Sequence, residues 1–144
     1  MTASQSAIDL RRLWWVGPLT ILAANVAVLA VRALAFAVLD LSPEFVALSW
    51  GALVIFTTVL VAAGVLVFAA VARLATRPIP MYRRIALGAL VVSMIPDLLL
   101  PGGSPGATWP AVLVLMVMHI AAWWPTVMIL TRWTLRPNAS RTSV

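Results

Sequence analysis

Six side chains are polar where their neighbours are not. Asn25 and Arg32 interrupt a run of Ala, Val, Leu and Phe, Thr57 sits in "VIFTTVLVAAG", Ser93 and Asp97 fall in "LVVSMIPDLLL", and His119 is centred in "VLMVMHIAAWW". Their chemistry is a short menu. An arginine and an aspartate can form an ion pair, and an unpaired inward arginine can receive an anion. Ser93 with His119 has the residue types for nucleophilic catalysis, but nothing resembling a nucleophile motif surrounds Ser93. A zinc site needs three or four ligands and interhelical haem takes two histidines, whereas the chain has one His and no Cys. The absence of Lys removes a Schiff base. The expectation is therefore no metal, no cofactor and no enzymatic activity.

These residues sit in elements whose solvent is set by composition. Of 144 residues, 63% are hydrophobic, and the mean hydropathy of +1.06 lies outside the range of a soluble domain. Four apolar runs, roughly residues 16–39, 46–72, 85–100 and 110–131, are each near or above the ~20 residues that cross a bilayer. Backbone in lipid must satisfy its own hydrogen bonds, and continuous runs of this length do so as helices, whereas a barrel would alternate. The expected fold is an all-α membrane protein, one domain of four transmembrane helices with short disordered tails, "MTASQSAID" and "PNASRTSV". The first run is too long for a signal peptide and is read as retained. The third run is the shortest and is broken by Pro96.

Charge gives the orientation. Arg11 and Arg12 precede the first run, Arg73, Arg77, Arg83 and Arg84 separate the second from the third, and Arg132, Arg136 and Arg141 follow the fourth. The other two connections, "DLSPE" and the turn-rich "PGGSPGATWP", contain no Arg. The positive-inside rule places both termini in the cytoplasm of a bacterial inner membrane. The net charge of +6 is accounted for by topology and by anionic lipid head groups, so nucleic acid is not an expected partner. Trp14, Trp15, Tyr82 and Trp133 fall at the expected inner boundary, and Trp50 and Trp109 near the outer one. Trp123 and Trp124 do not fit these belts and are read as filling a gap around Pro125.

Helical geometry then asks which faces converge. Asn25 and Arg32 share one face of the first helix, while Ala23, Ala27, Ala30, Ala33 and Ala37 lie nearly opposite as a small-residue seam. Arg32 lies near mid-membrane, where an unpaired charge is costly. Its candidate partners are Asp97, favoured because snorkelling lifts the guanidinium towards that depth, and Asp40 or Glu44 in the first external connection. Ser93 and Asp97 share a face of the third helix, and Trp123 and Thr126 continue the His119 face of the fourth. The reading is one interior polar cluster of Asn25, Arg32, Thr57, Ser93, Asp97 and His119. The bland alternative is that each hydrogen-bonds within its own helix.

The stretches "GALVIFTTVLVAAGVLVFAAVAR", "RRIALGALVVSMIPDLLLPG" and "VLMVMHIAAWWPTVMILTR" together resemble a family of uncharacterised four-helix bacterial membrane proteins, a domain of unknown function. The resemblance implies four helices and carries no catalytic role. Two functions are weighed. The first and favoured one is a small structural or accessory membrane subunit that binds a partner protein or another copy through its Ala and polar faces. The second is a small transporter or ligand-binding bundle for an anionic or amphipathic molecule. A cation exporter would be expected to carry an acidic residue deep in its first helix, where this chain has Arg32.

Overall fold

The computed structural model describes residues 8–135. Four helices dominate it: α1 (Leu13–Val38), α2 (Trp50–Leu74), α3 (Pro78–Met94) and α4 (Trp109–Trp133). With the flanking 3-10 turns at Leu10–Arg12 and Pro96–Leu99, all four are long and apolar enough to cross a membrane. The two tails expected to be disordered, together with Arg136 and Arg141, fall almost wholly outside the described residues.

Local chemistry explains the boundaries. Ser49 caps α2 by accepting from the Ala52 N–H, and Thr108 caps α4 by accepting from Ala111. The expected second helix began at residue 46, but Val46–Leu48 is a separate 3-10 turn before that cap. The largest correction is α3, expected from residue 85 and found from Pro78. Pro78 and Pro80 lie in its first turn, where a helix does not need their missing N–H groups. Arg83 and Arg84 therefore ride on a helix, and the connection shrinks to residues 75–77. At the other end the helix stops before Pro96, short of the expected residue 100. The Val92 carbonyl freed by that proline accepts from Ile95 at 3.2 Å in a tighter 3-10 bond. Pro125, by contrast, sits inside α4 without ending it.

The connections make sequential helices antiparallel, and the chain ends agree. Ile8 pairs with Leu135 in an isolated bridge, Asp9 N–H donates to Thr134 O at 2.8 Å, and Arg12 donates to the carbonyls of Trp133 and Leu135. A cation thus caps the C-terminal end of α4. One buried cluster, Val16, Phe68, Val71, Tyr82, Val127 and Leu130, closes this end of the bundle. Another, built on Val28, Leu41, Phe45, Leu48, Leu115 and Met118, closes the opposite end. There Gly106 adopts φ +70°, and a Cβ would stand 2.9 Å from Phe45 N, so the glycine-rich connection is docked on the first one.

α1 packs chiefly on α4 and then on α2, while α3 packs more sparsely, on α2 and α4. The buried seam of α1 is Thr20, Ala24, Val28 and Ala35. Of the expected Ala seam, Ala30, Ala33 and Ala37 face outward and Ala23 and Ala27 are half-buried. α3 buries one residue, Tyr82, edge-on to Phe68 with centroids 4.9 Å apart. Tyr82 was expected as an interfacial anchor. The early start of α3 carries it inward instead, and it is 2% exposed.

Candidate functional site

The sparse packing of α3 leaves a cavity of about 710 Å³ bounded by α2, α3 and α4. Its wall is mostly apolar, and it includes Thr57, Ser93, Asp97 and His119 from the expected cluster. The structure therefore assembles four of the six residues. Asn25 and Arg32 lie elsewhere, and the reasons are local.

Asn25 faces α2. Its Nδ2 donates to Ile21 O at 2.9 Å and to Thr58 Oγ1 at 3.1 Å, which ties the two helices. Arg32 does not pair with Asp97, Asp40 or Glu44, and among the described residues the recorded ion contact is His119 with Asp97. Arg32 Nε donates to Leu48 O at 2.7 Å, and its Cζ lies 4.3 Å from the ring centroids of both Phe36 and Trp50. Leu48 is buried at the end of a 3-10 turn, where its carbonyl has no ladder partner. The arginine supplies the missing donor, and the expected ion pair gives way to a carbonyl and two aromatic faces that lie closer.

Within the cavity, Asp97 is held by the 3-10 turn Pro96–Leu99 and is 6% exposed. His119 Nδ1 lies 2.9 Å from Leu115 O and 3.3 Å from Asp97 Oδ2. A carbonyl can only accept, so Nδ1 carries the proton. Asp97 Oδ2 makes no hydrogen bond, although Nδ1 lies within ion-pair distance of it. The short contact is thus a close approach of two groups rather than a formed hydrogen bond. Ser93 and Thr126 hydroxyls bond to carbonyls of their own helices, at 2.8 Å to Leu90 and 2.7 Å to Ala122, as the bland reading expected.

Sequence reasoning placed Trp123 on the His119 face of α4 but left it out of the polar cluster. It is half-buried on the cavity wall, and its Nε1–H is buried without a partner, while Trp124 points outward. The signal was its spacing, four residues after His119 and so on the same face of α4. Tyr82 also reaches this wall. Phe56, Leu60, Ile85 and Ala89 line the cavity and are exposed on the outer surface, so the cavity opens sideways between α2 and α3. Among the described residues there is no group of three His, Cys, Asp or Glu side chains that could hold a metal ion.

No curated protein and no solved structure matches the chain. A family model does, over residues 8–137, a span that takes in all four helices, the carbonyl-bound Arg32 and the cavity with Asp97 and His119. The chain belongs to the family of unknown function DUF6069.

Proposed function

We propose that the protein is a multi-pass membrane bundle that holds an amphipathic small molecule in the cavity between α2, α3 and α4. One observation carries this reading: Asp97 Oδ2 and Trp123 Nε1 are both buried without partners on the wall of a single apolar cavity. Leaving one such group unsatisfied costs about 1–3 kcal/mol, and a molecule that bonds to both removes the penalty. The volume lies within the ~300–1,000 Å³ of small-molecule sites. The role is binding or passage, with no catalytic step.

A neutral, environment-sensitive naphthalene dye tests the cavity. It is expected to bind the protein in zwitterionic nanodiscs at one equivalent. Ala89→Trp and Ala122→Trp, which fill the wall from α3 and α4, are expected to abolish binding while leaving the melting temperature unchanged. Dye binding that survives both substitutions would place the dye elsewhere and remove the reading.

The setting proposed is the bacterial cytoplasmic membrane, with both termini inside and anionic head groups against the basic end. Support comes from apolar side chains that point outward, such as Leu34 at 66% and Leu66 at 71% exposure, along helices of spanning length. It comes also from Arg73, Arg77, Arg83, Arg84 and Arg132 lying towards one end of the bundle and Asp40 and Glu44 at the other. The chain has no Cys, so Gly103→Cys and Thr76→Cys can be labelled singly. An impermeant thiol reagent on intact cells is expected to label position 103 and spare 76, and the reverse pattern would invert the orientation.

The accessory-subunit reading is kept second. A specific feature favours it: α3 buries only Tyr82, so the cleft that opens between α2 and α3 also has the form of a seat for a helix of a partner or second copy.

A further inference from the structure

We infer that the molecule held in the cavity is a lipophilic organic cation of the alkylammonium class, admitted sideways from the membrane between α2 and α3. This rests on the cavity reading above and adds its charge and route. Among the described residues there are eight arginines, and none of them lines the cavity. Arg32, the one residue that would have favoured an anion, is held by Leu48 O and two aromatic rings. The carboxylate on the wall, Asp97, offers a buried oxygen that lacks a donor.

His119 makes no hydrogen bond to that oxygen: its Nδ1 lies 3.3 Å from Asp97 Oδ2 and nearer, at 2.9 Å, to Leu115 O. A donor brought by a molecule in the cavity would complete Asp97, which lines its wall. A charged N–H donor does so best, since it both hydrogen-bonds the carboxylate and balances its charge in an apolar wall. Trp123 Nε1–H asks for an acceptor on the same molecule, such as a hydroxyl or ether oxygen. The remaining wall, including Leu53, Phe56, Leu60, Met118 and Val127, takes an alkyl or aryl body. Exposure of Phe56, Leu60 and Ile85 at the rim gives that body a path from the surrounding hydrocarbon.

The test compares decylammonium, decanol and decanesulfonate as competitors of a photoreactive decylamine on the whole protein in phosphatidylcholine nanodiscs, which carry no net lipid charge. In the wild type, decylammonium is expected to compete roughly ten- to a hundred-fold better than decanol, the range of one charge-assisted hydrogen bond, with decanesulfonate weakest. Asp97→Asn is expected to bring decylammonium to the level of decanol, and a decylammonium-to-decanol ratio that stays at its wild-type value would remove Asp97 from the site. Crosslinks are expected on α2, α3 and α4 around Asp97. If decanol and decylammonium compete equally and crosslink in the cavity, the cation assignment falls and the cavity reading survives. If no probe crosslinks there, both fall. The wild-type ranking decides the assignment even if Asp97→Asn does not fold.

Discussion

Tyr82→Ala is expected to destabilise the bundle by about 2–3 kcal/mol and to release α3. Removing a large buried aromatic from an aqueous protein core costs ~3–5 kcal/mol, the sum of lost transfer energy and a residual cavity. In the proposed membrane setting, hydrocarbon surroundings remove much of the transfer part, because lipid is as apolar as the core, and leave the packing part. The effect is nonetheless large here because Tyr82 is the single buried residue of α3, held edge-on by Phe68. Tyr82→Phe keeps that ring contact and is expected to stay within about 0.5 kcal/mol of wild type, as no hydrogen bond to another residue is lost. Unfolding in micelles measures both. Spin labels on Leu60 of α2 and Leu87 of α3, both exposed, report the distance between the helices, which should broaden in Tyr82→Ala alone. A single narrow distance in that variant would show that α3 is held by other contacts.

The number and type of elements were legible because hydropathy and length act on whole segments. Each long apolar run became one helix, and Pro96 ended α3 as its chemistry requires. The start of α3 was not legible, because Pro78, Pro80, Arg83 and Arg84 read as a polar connection when taken one by one. Proline in a first turn is favourable, and the arginines simply point outward from it. That shift of about two turns moved Tyr82 from an interfacial position to the core.

The site was legible along each helix but not between helices. Spacing placed Ser93 with Asp97 and His119 with Thr126, and these residues do share one cavity wall. Spacing could not say which neighbour each face meets. Asn25 turned to Thr58 of α2 and Arg32 to the Leu48 carbonyl of the 3-10 turn before it, with a hydroxyl and a carbonyl nearer than any carboxylate. The unsatisfied atoms that define the cavity are a three-dimensional property. Asp97 Oδ2 is left without a hydrogen bond in a place where His119 Nδ1 stands nearer to Leu115 O than to it.

Arg32→Lys is expected to destabilise the bundle as much as Arg32→Met, by about 2 kcal/mol in each case. Arg32 makes one hydrogen bond from Nε to a buried carbonyl, worth ~1.5–3 kcal/mol for a charged donor, and two ring contacts at 4.3 Å worth ~0.5–2 kcal/mol each. Part of that sum is offset by holding the charge in apolar surroundings. Methionine loses the contacts and the charge together, leaving the Leu48 carbonyl orphaned. Lysine keeps a more strongly hydrated charge but has neither the planar face for two rings nor a donor at the Nε position. A snorkelling residue that merely reached lipid phosphates, or an ion pair with Asp97, would behave differently, because lysine serves either purpose. A double-mutant cycle separates the cases. Coupling of Arg32→Met with Trp50→Leu is expected at about 1 kcal/mol, and coupling with Asp97→Asn near zero, since neither residue's recorded contacts include the other. Full rescue by lysine, or strong coupling to Asp97, would return Arg32 to the polar cluster and supply the cavity with the positive charge that an anionic ligand requires.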